Sequence, residues 1–291
     1  MAAQLADDAI TSRPLHPALG VEVLAVDLSE TLSDDRFGAV SRLWDQHQLL
    51  LFRNQSLTEE QQIDFSRRFG TLAVQIESDK RSTRNPAILR ISNVSESGKM
   101  DAESQRFFAI LTGLWHTDGS YKPVPSHGSI LHCLEAATAG GETCFANMIA
   151  AYEALPAETK SRLTGKHMVH SYEFTRQFAP GIKPLTEAQK AELPPVTHPV
   201  VRTLPDGRRT LYISANVGYY IGGMALDEGK ALHAELVNWA TQPRFVYEHQ
   251  WRVGDVLMWQ NPGTMHCIRS YDPQTRRVMQ RTEITGSQIP V

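Results

Sequence analysis

The chain contains no apolar run approaching the roughly 18 to 20 residues that span a bilayer. Its first residues, Met1 to Asp8, have neither the basic start nor the apolar centre of a secretion signal. A soluble, cytoplasmic protein is expected. Cysteine is scarce. Cys133, Cys144 and Cys267 show no Cys-x-x-Cys spacing, which argues against a disulfide framework or a thiolate zinc site and fits a reducing compartment. Charge of one sign is not in excess either. With 29 Lys and Arg against 32 Asp and Glu, and no basic block interleaved with aromatics, nucleic acid is not an expected partner, and attraction for an anion has to be local. Repeats and low-complexity segments are missing. The 291 residues, 41% of them hydrophobic, are therefore read as one domain, 1–291, with one substantial core.

Periodicity supplies a mixed, β-rich outline. After about 15 flexible residues, Gly20 to Leu28 alternates as a strand. Asp34 to His47 spaces Phe37, Val40, Leu43 and Trp44 as one helical face. Leu49 to Phe52 reads as a buried strand, and Thr58-x-x-Gln61 as a capping box opening a helix that Gly70 ends. Residues 76 to 110 are polar and read either as a solvated loop or as an active-site lid. Strands are expected from 113 to 145, broken at Gly140-Gly141. A helix pair should follow from Met148 to Leu163, with Asn147 as cap and Pro156 between its halves. Asp206-Gly207 signals a hairpin, Gly218 to Gly223 a turn or a flexible cavity wall, and Asp227 to Thr241 a helix. Residues 245 to 285 are strand-rich.

Two histidines and an aspartate stand out against this outline. In an extended Trp115-His116-Thr117-Asp118, His116 and Asp118 would face one point, since residues i and i+2 share a side of a strand. His266 follows 150 positions later, just past the apolar run Val256 to Trp259. Two imidazoles and one carboxylate leave the far side of a metal open, an arrangement suited to non-haem Fe(II). Strand alternation from Arg277 places Arg277, Met279 and Arg281 on one face. Guanidinium forks match carboxylates, so two of them pointing into a metal-bearing cavity imply two anionic guests. Cys267, next to His266, should point away from the metal and serve packing.

These residues resemble the Fe(II)/2-oxoglutarate dioxygenase family of taurine dioxygenase and 2,4-dichlorophenoxyacetate dioxygenase. The resemblance runs from Leu51-Phe52-Arg53-Asn54-Gln55 and Phe65 to Gly70, through His-x-Asp, Gly140-Gly141-Glu142-Thr143 and Gly254-Asp255, to Arg281. It implies an α+β, β-rich fold with a double-stranded β-helix (jelly roll) core and flanking helices. It implies Fe(II) on His116, Asp118 and His266. The far carboxylate of 2-oxoglutarate would lie on Thr143 and Arg277, which stand 27 and 11 residues after the two histidines. Arg281, four residues further, would take the anion of the substrate. O2 is consumed, 2-oxoglutarate yields succinate and CO2, and a substrate C–H is hydroxylated. Where the family often has Trp-Asp-Asn-Arg, this chain has Trp259-Gln260-Asn261-Pro262, which leaves the ligands intact and alters what stands behind His266.

Thr143 to Met148, Ala151-Tyr152 and His249-Gln250-Trp251 look more like aryloxyalkanoate dioxygenases than taurine dioxygenase. Hydroxylation beside an ether oxygen would give a hemiacetal that releases a phenol and a 2-oxo acid. An alkylsulfonate substrate remains the alternative, and a non-catalytic jelly-roll metal binder a remoter one. A small anionic substrate and a homo-oligomer are expected.

Overall fold

A computed structural model describes residues 10–74, 80–178 and 184–291. Its largest layer is a seven-stranded sheet made of Thr11–Pro14 (β1), Val21–Leu24 (β2), Leu49–Phe52 (β3), Leu89–Ser92 (β4), Gly128–Glu135 (β5), Val256–Gln260 (β13) and Val278–Ile284 (β15), in the order β1-β2-β3-β13-β5-β15-β4. Only β2 and β3 run parallel. A three-stranded sheet joins Val246–His249 (β12), Thr143–Asn147 (β6) and Thr264–Ile268 (β14), with β6 central. A second three-stranded sheet is built from His167–His170 (β7), Val196–Pro199 (β8) and Gly218–Ile221 (β11), and a two-stranded one from Val201–Thr203 (β9) and Arg209–Leu211 (β10). The helices are Asp34–His47 (α1), Glu59–Arg67 (α2), Ala102–Gly113 (α3), Met148–Glu153 (α4), Ala157–Leu163 (α5), Glu187–Glu192 (α6) and Leu226–Ala240 (α7). None of the described helices is long and apolar enough to cross a membrane.

The run Leu49 to Phe52 is apolar without alternation because both of its faces are covered. Leu50 and Phe52, with Val256 and Met258 of β13, pack under Trp44 of α1 and Phe65 of α2. Leu49 and Leu51, with Leu257 and Trp259, face the other way and meet Phe145 of the small sheet. Each fully buried side chain of this kind contributes about 1.5 to 3 kcal/mol. Gly128 opens β5 because a Cβ there would lie 2.5 Å from both the Trp259 carbonyl and the Trp44 ring. The interior face of β15 follows from the same alternation: Met279 joins the apolar layer, and Arg281 and Glu283 share its side.

Several expectations are met in detail. The α1 bounds agree, the Thr58 capping box forms, Asn147 caps α4 and Pro156 precedes α5, and Asp206-Gly207 joins paired β9 and β10. Others need correction. Residues 80–110 hold β4 and most of α3 rather than a loop, while the part of the expected lid at 76–79 lies outside the described residues, as do residues 1–9 of the expected flexible start. Gly218 to Ile221 is a strand paired with β7. Between 113 and 127 only an isolated bridge at His116 forms.

Beside the small sheets His170, His198 and His233 are held neutral. Burial is the leading cause for each, lowering all three and taking His233 to about 4. The unfolded chain binds protons at these sites near 6.5, where the folded one does not. Stability should therefore fall as pH drops from about 6.5 toward 4. Urea midpoints at about pH 7.5 and about pH 5 test this; an equal or higher midpoint at the acid pH would contradict it.

Candidate metal centre and its pocket

His116 and His266 reach one another through the backbone. His116 N–H donates to the His266 carbonyl at 2.9 Å and receives the reverse bond at 2.8 Å, a single antiparallel bridge beside β14. The chain then turns instead of continuing as the expected strand. Asn261, in the turn Asn261–Gly263 between β13 and β14, is what captures it. Its carbonyl accepts the Thr117 hydroxyl at 2.9 Å, and its side-chain oxygen accepts the Asp118 N–H at 3.2 Å. Gly119 completes the turn at φ +65°, where a Cβ would also collide with Ser126. His116 and Asp118 thus converge as the sequence suggested, by a bridge and a turn rather than by alternation.

The ligand atoms of His116, Asp118 and His266 all lie within 4.8 Å of one another. His266 Nε2 is 3.8 Å from Asp118 Oδ2, and the two imidazole centroids are 4.1 Å apart. His116 Nδ1 sits 2.7 Å from the Leu114 carbonyl; a carbonyl only accepts, so the proton is on Nδ1 and Nε2 keeps its lone pair. Burial lowers both histidines, His266 strongly, and keeps them neutral. Burial by itself would raise Asp118. The Arg281 guanidinium and the Ser129 hydroxyl oppose it and hold the carboxylate ionised. Two neutral imidazoles and one carboxylate fit a divalent transition ion.

Arg281 is already engaged. Its Nη1 donates to Asp118 Oδ1 at 2.6 Å and its Nη2 to Glu283 Oε2 at 2.8 Å, while its Nε is buried without a partner. Glu283 also receives Ser126 Oγ, and Lys122 Nζ at 3.3 Å. Lys122 and Arg281 overcome the effect of burial and keep Glu283 ionised. Ser129 Oγ donates to Asp118 Oδ2 at 2.7 Å.

Arg277 lies just before β15, beside a register shift against β5 between Val278 and Met279. It is buried, pushed down to about 10 by desolvation and so still cationic at neutral pH, and its Nε has no partner. Gly141 makes room: a Cβ there would stand 3.3 Å from Arg277 Nε. Thr143, two residues on, shares the interior side of β6 with Phe145 and accepts the Trp251 indole N–H at 2.9 Å. A buried cation and a hydroxyl in a cradle cleared by glycine fit the far carboxylate of a dicarboxylic acid.

Above the ligands, Phe107, Phe108 and Leu111 of α3 face Leu89, Tyr121 and Tyr172 across a cavity that also reaches Arg281 and Glu283. Tyr121 and Tyr172 pack at 4.6 Å between centroids. The departure at Gln260 and Pro262 falls elsewhere. Gln260 Nε2 donates to Asp45 Oδ1 at 2.6 Å, and both residues line a separate cavity of about 310 Å³ that includes none of the three ligands. Cys267 faces Cys144 across the strands and is buried. Ser129, Glu283 and the α3 wall were not singled out from the sequence, and Trp251 stood out only within His249-Gln250-Trp251, without a role. Glu283 stands two residues from Arg281 on one strand, and Asp101 followed by Phe107, Phe108 and Leu111 has a cap and helical spacing, so those two carried a signal.

Comparison with known proteins gives a consistent set of likenesses. The model of the Taurine catabolism dioxygenase TauD, TfdA family matches residues 11–282. The alpha-ketoglutarate-dependent 2,4-dichlorophenoxyacetate dioxygenase of Cupriavidus pinatubonensis is 36% identical over 278 residues, 94% of this chain and 96% of that one. The (S)-phenoxypropionate/alpha-ketoglutarate-dioxygenase of Delftia acidovorans is 31% identical over 94% of each chain. The crystal structure of AAD-2 in complex with Mn(II) and N-oxalylglycine superposes with a TM-score of 0.87 at 33% identity, covering 97% of this chain and 99% of that one.

Asp118→Ala should abolish Mn(II) binding in calorimetric titration without changing the far-ultraviolet circular dichroism, because Glu283 continues to neutralise Arg281. Mn(II) affinity equal to that of the parent would remove this cluster from consideration.

Proposed function

Since the chain belongs to the TauD, TfdA family of dioxygenases and is an Fe(II)/2-oxoglutarate-dependent oxidoreductase, we propose that its prime substrate is an aryloxyalkanoate, which it cleaves to a phenol and a 2-oxo acid. His116, Asp118 and His266 hold the iron. Thr143 and Arg277 hold the far carboxylate of 2-oxoglutarate, and the guanidinium of Arg281, which keeps an unpartnered Nε, takes the carboxylate of the substrate. When bound, iron with 2-oxoglutarate and O2 supplies the oxidant, and succinate and CO2 leave as coproducts.

The observation that carries the substrate reading is the wall of the cavity. Aromatic and aliphatic side chains from α3, Tyr121 and Tyr172 stand opposite the charged edge at Arg281, so an aryl ring has an apolar surface and an attached carboxylate has a cation. Charge supports the same reading. Asp118 and Glu283 are balanced by Arg281 and Lys122. A divalent ion with Arg277 then exceeds a dianionic cosubstrate by one positive charge, which a monoanion neutralises. An alkylsulfonate would meet that charge but leave the aromatic wall unused.

This chain's residues bind and orient. Arg281 fixes the carboxylate, so the carbon between it and the ether oxygen faces the metal, and such positioning can be worth several kcal/mol. The wall formed by α3 and the segment before it excludes water, and we assign it the role of lid. Names of relatives agree with an aryloxyalkanoate, and N-oxalylglycine, bound in the AAD-2 structure, is 2-oxoglutarate with an NH in place of a methylene. The seven-stranded sheet and the sheet centred on β6, with the metal centre between them, are read as a double-stranded β-helix.

The substrate reading is tested by comparing phenoxyacetates with their neutral amides and with alkylsulfonates. Iron- and 2-oxoglutarate-dependent phenol release from the acids, and little from the amides, is expected; equal oxidation of acid and amide would show that no anion pocket exists. In the same assay, Arg277→Ala should raise the apparent KM for 2-oxoglutarate by about a hundredfold or more, with a far smaller effect on the KM of the acid. An unchanged cosubstrate KM would refute the clamp.

A further inference from the structure

The Thr143 side chain makes one hydrogen bond among the described residues, and it is the acceptor: Trp251 Nε1 donates to its Oγ1 at 2.9 Å. An indole N–H can only donate, so it occupies a lone pair of Oγ1 and cannot take up the hydroxyl proton. That proton is left for an acceptor on another side of the oxygen, on the interior face of β6. The indole is itself held. Its ring meets His249 edge-on at 4.6 Å and 87°. His249 receives the Tyr247 hydroxyl on Nδ1 at 2.9 Å and donates through Nε2 to Asp255 Oδ2 at 3.1 Å. Asp255 is fixed in turn by Arg53 at 2.6 Å and by the Arg252 N–H at 2.8 Å. Burial keeps His249 neutral and raises Tyr247 to about 12, so these donor and acceptor roles hold at neutral pH.

We propose that Trp251 is a positioning residue for the cosubstrate: by saturating one side of the Thr143 hydroxyl it aims the Thr143 O–H at the far carboxylate of 2-oxoglutarate. The inference rests on the assignment of Thr143 and Arg277 to that carboxylate. Trp251 acts through Thr143 alone, and the chain Tyr247, His249, Asp255 and Arg53 serves to keep its ring in place. Without the indole N–H the hydroxyl is free to rotate, and the carboxylate loses a preorganised donor while Arg277 remains.

The test is calorimetric titration of 2-oxoglutarate into the Mn(II)-loaded protein, with parent, Trp251→Phe, Thr143→Val and the double variant. Phenylalanine keeps an aromatic ring at this position and removes the donor together with the pyrrole part of the indole. Trp251→Phe should weaken binding by about three- to tenfold and Thr143→Val by about tenfold, and the double variant should bind as Thr143→Val does, since Trp251 has nothing left to orient. With Fe(II), Trp251→Phe should raise the KM for 2-oxoglutarate while kcat and the KM of the prime substrate stay within about twofold. A merely structural tryptophan would instead lower the melting temperature and kcat together. Parental affinity in Trp251→Phe, or full additivity in the double variant, would overturn the inference while leaving the clamp standing. A parent protein that binds Mn(II) and not 2-oxoglutarate would overturn the clamp, and this inference with it.

Discussion

A carboxylate buried between two sheets must remain ionised to hold a cation, and the Arg281 guanidinium 2.6 Å from Asp118 is the contact that permits this. Desolvation at this depth pushes Asp118 toward its protonated form, and Arg281 is the largest influence opposing it. Arg281 then needs a counter-charge of its own, which Glu283 supplies two residues along β15, and Glu283 is balanced by Lys122 in the turn that follows the ligand. The four charges close a circuit from the Asp118 turn to β15 and back. Buried ion pairs of this kind add little net stability compared with apolar packing. Their presence on the interior face of β15, next to Met279 in the apolar layer, is explained by the metal centre.

The rest of the site is arranged around that circuit on elements of graded rigidity. β5, β13 and β15 are central to the large sheet and supply Ser129, the Asn261 turn and Arg281. β6 and β14, paired along their length, supply Thr143 and His266. The groups that must be placed within a fraction of an ångström therefore come from paired strands or turns pinned to them. Apart from Leu89 and Ile91 of β4, the apolar cavity wall comes from α3 and the Tyr121 and Tyr172 segments, outside the sheets.

Local features were legible in the sequence where the physics is local. The α1 stripe, the Thr58 capping box, the Asn147 cap and the Asp206-Gly207 hairpin each depend on a few neighbouring residues. Placing α3 was within reach by the same reasoning and was obscured by the polar composition around it. The candidate metal ligands and the two arginines stood out by their offsets, and it was the resemblance that implied they share one site. What could not be read were contacts between distant positions: Trp251 with Thr143 spans 108 residues and Arg281 with Asp118 spans 163.

The central claim, that this centre hydroxylates the carbon between the carboxylate and the ether oxygen of an aryloxyalkanoate, is tested most directly by turnover of phenoxyacetate under 18O2 with mass analysis of succinate and phenol. Succinate should carry one atom of 18O. The phenol should carry none, because its oxygen is the original ether oxygen and the new hydroxyl leaves with the 2-oxo acid. Label in the phenol, or phenol release with unlabelled succinate, would contradict the account.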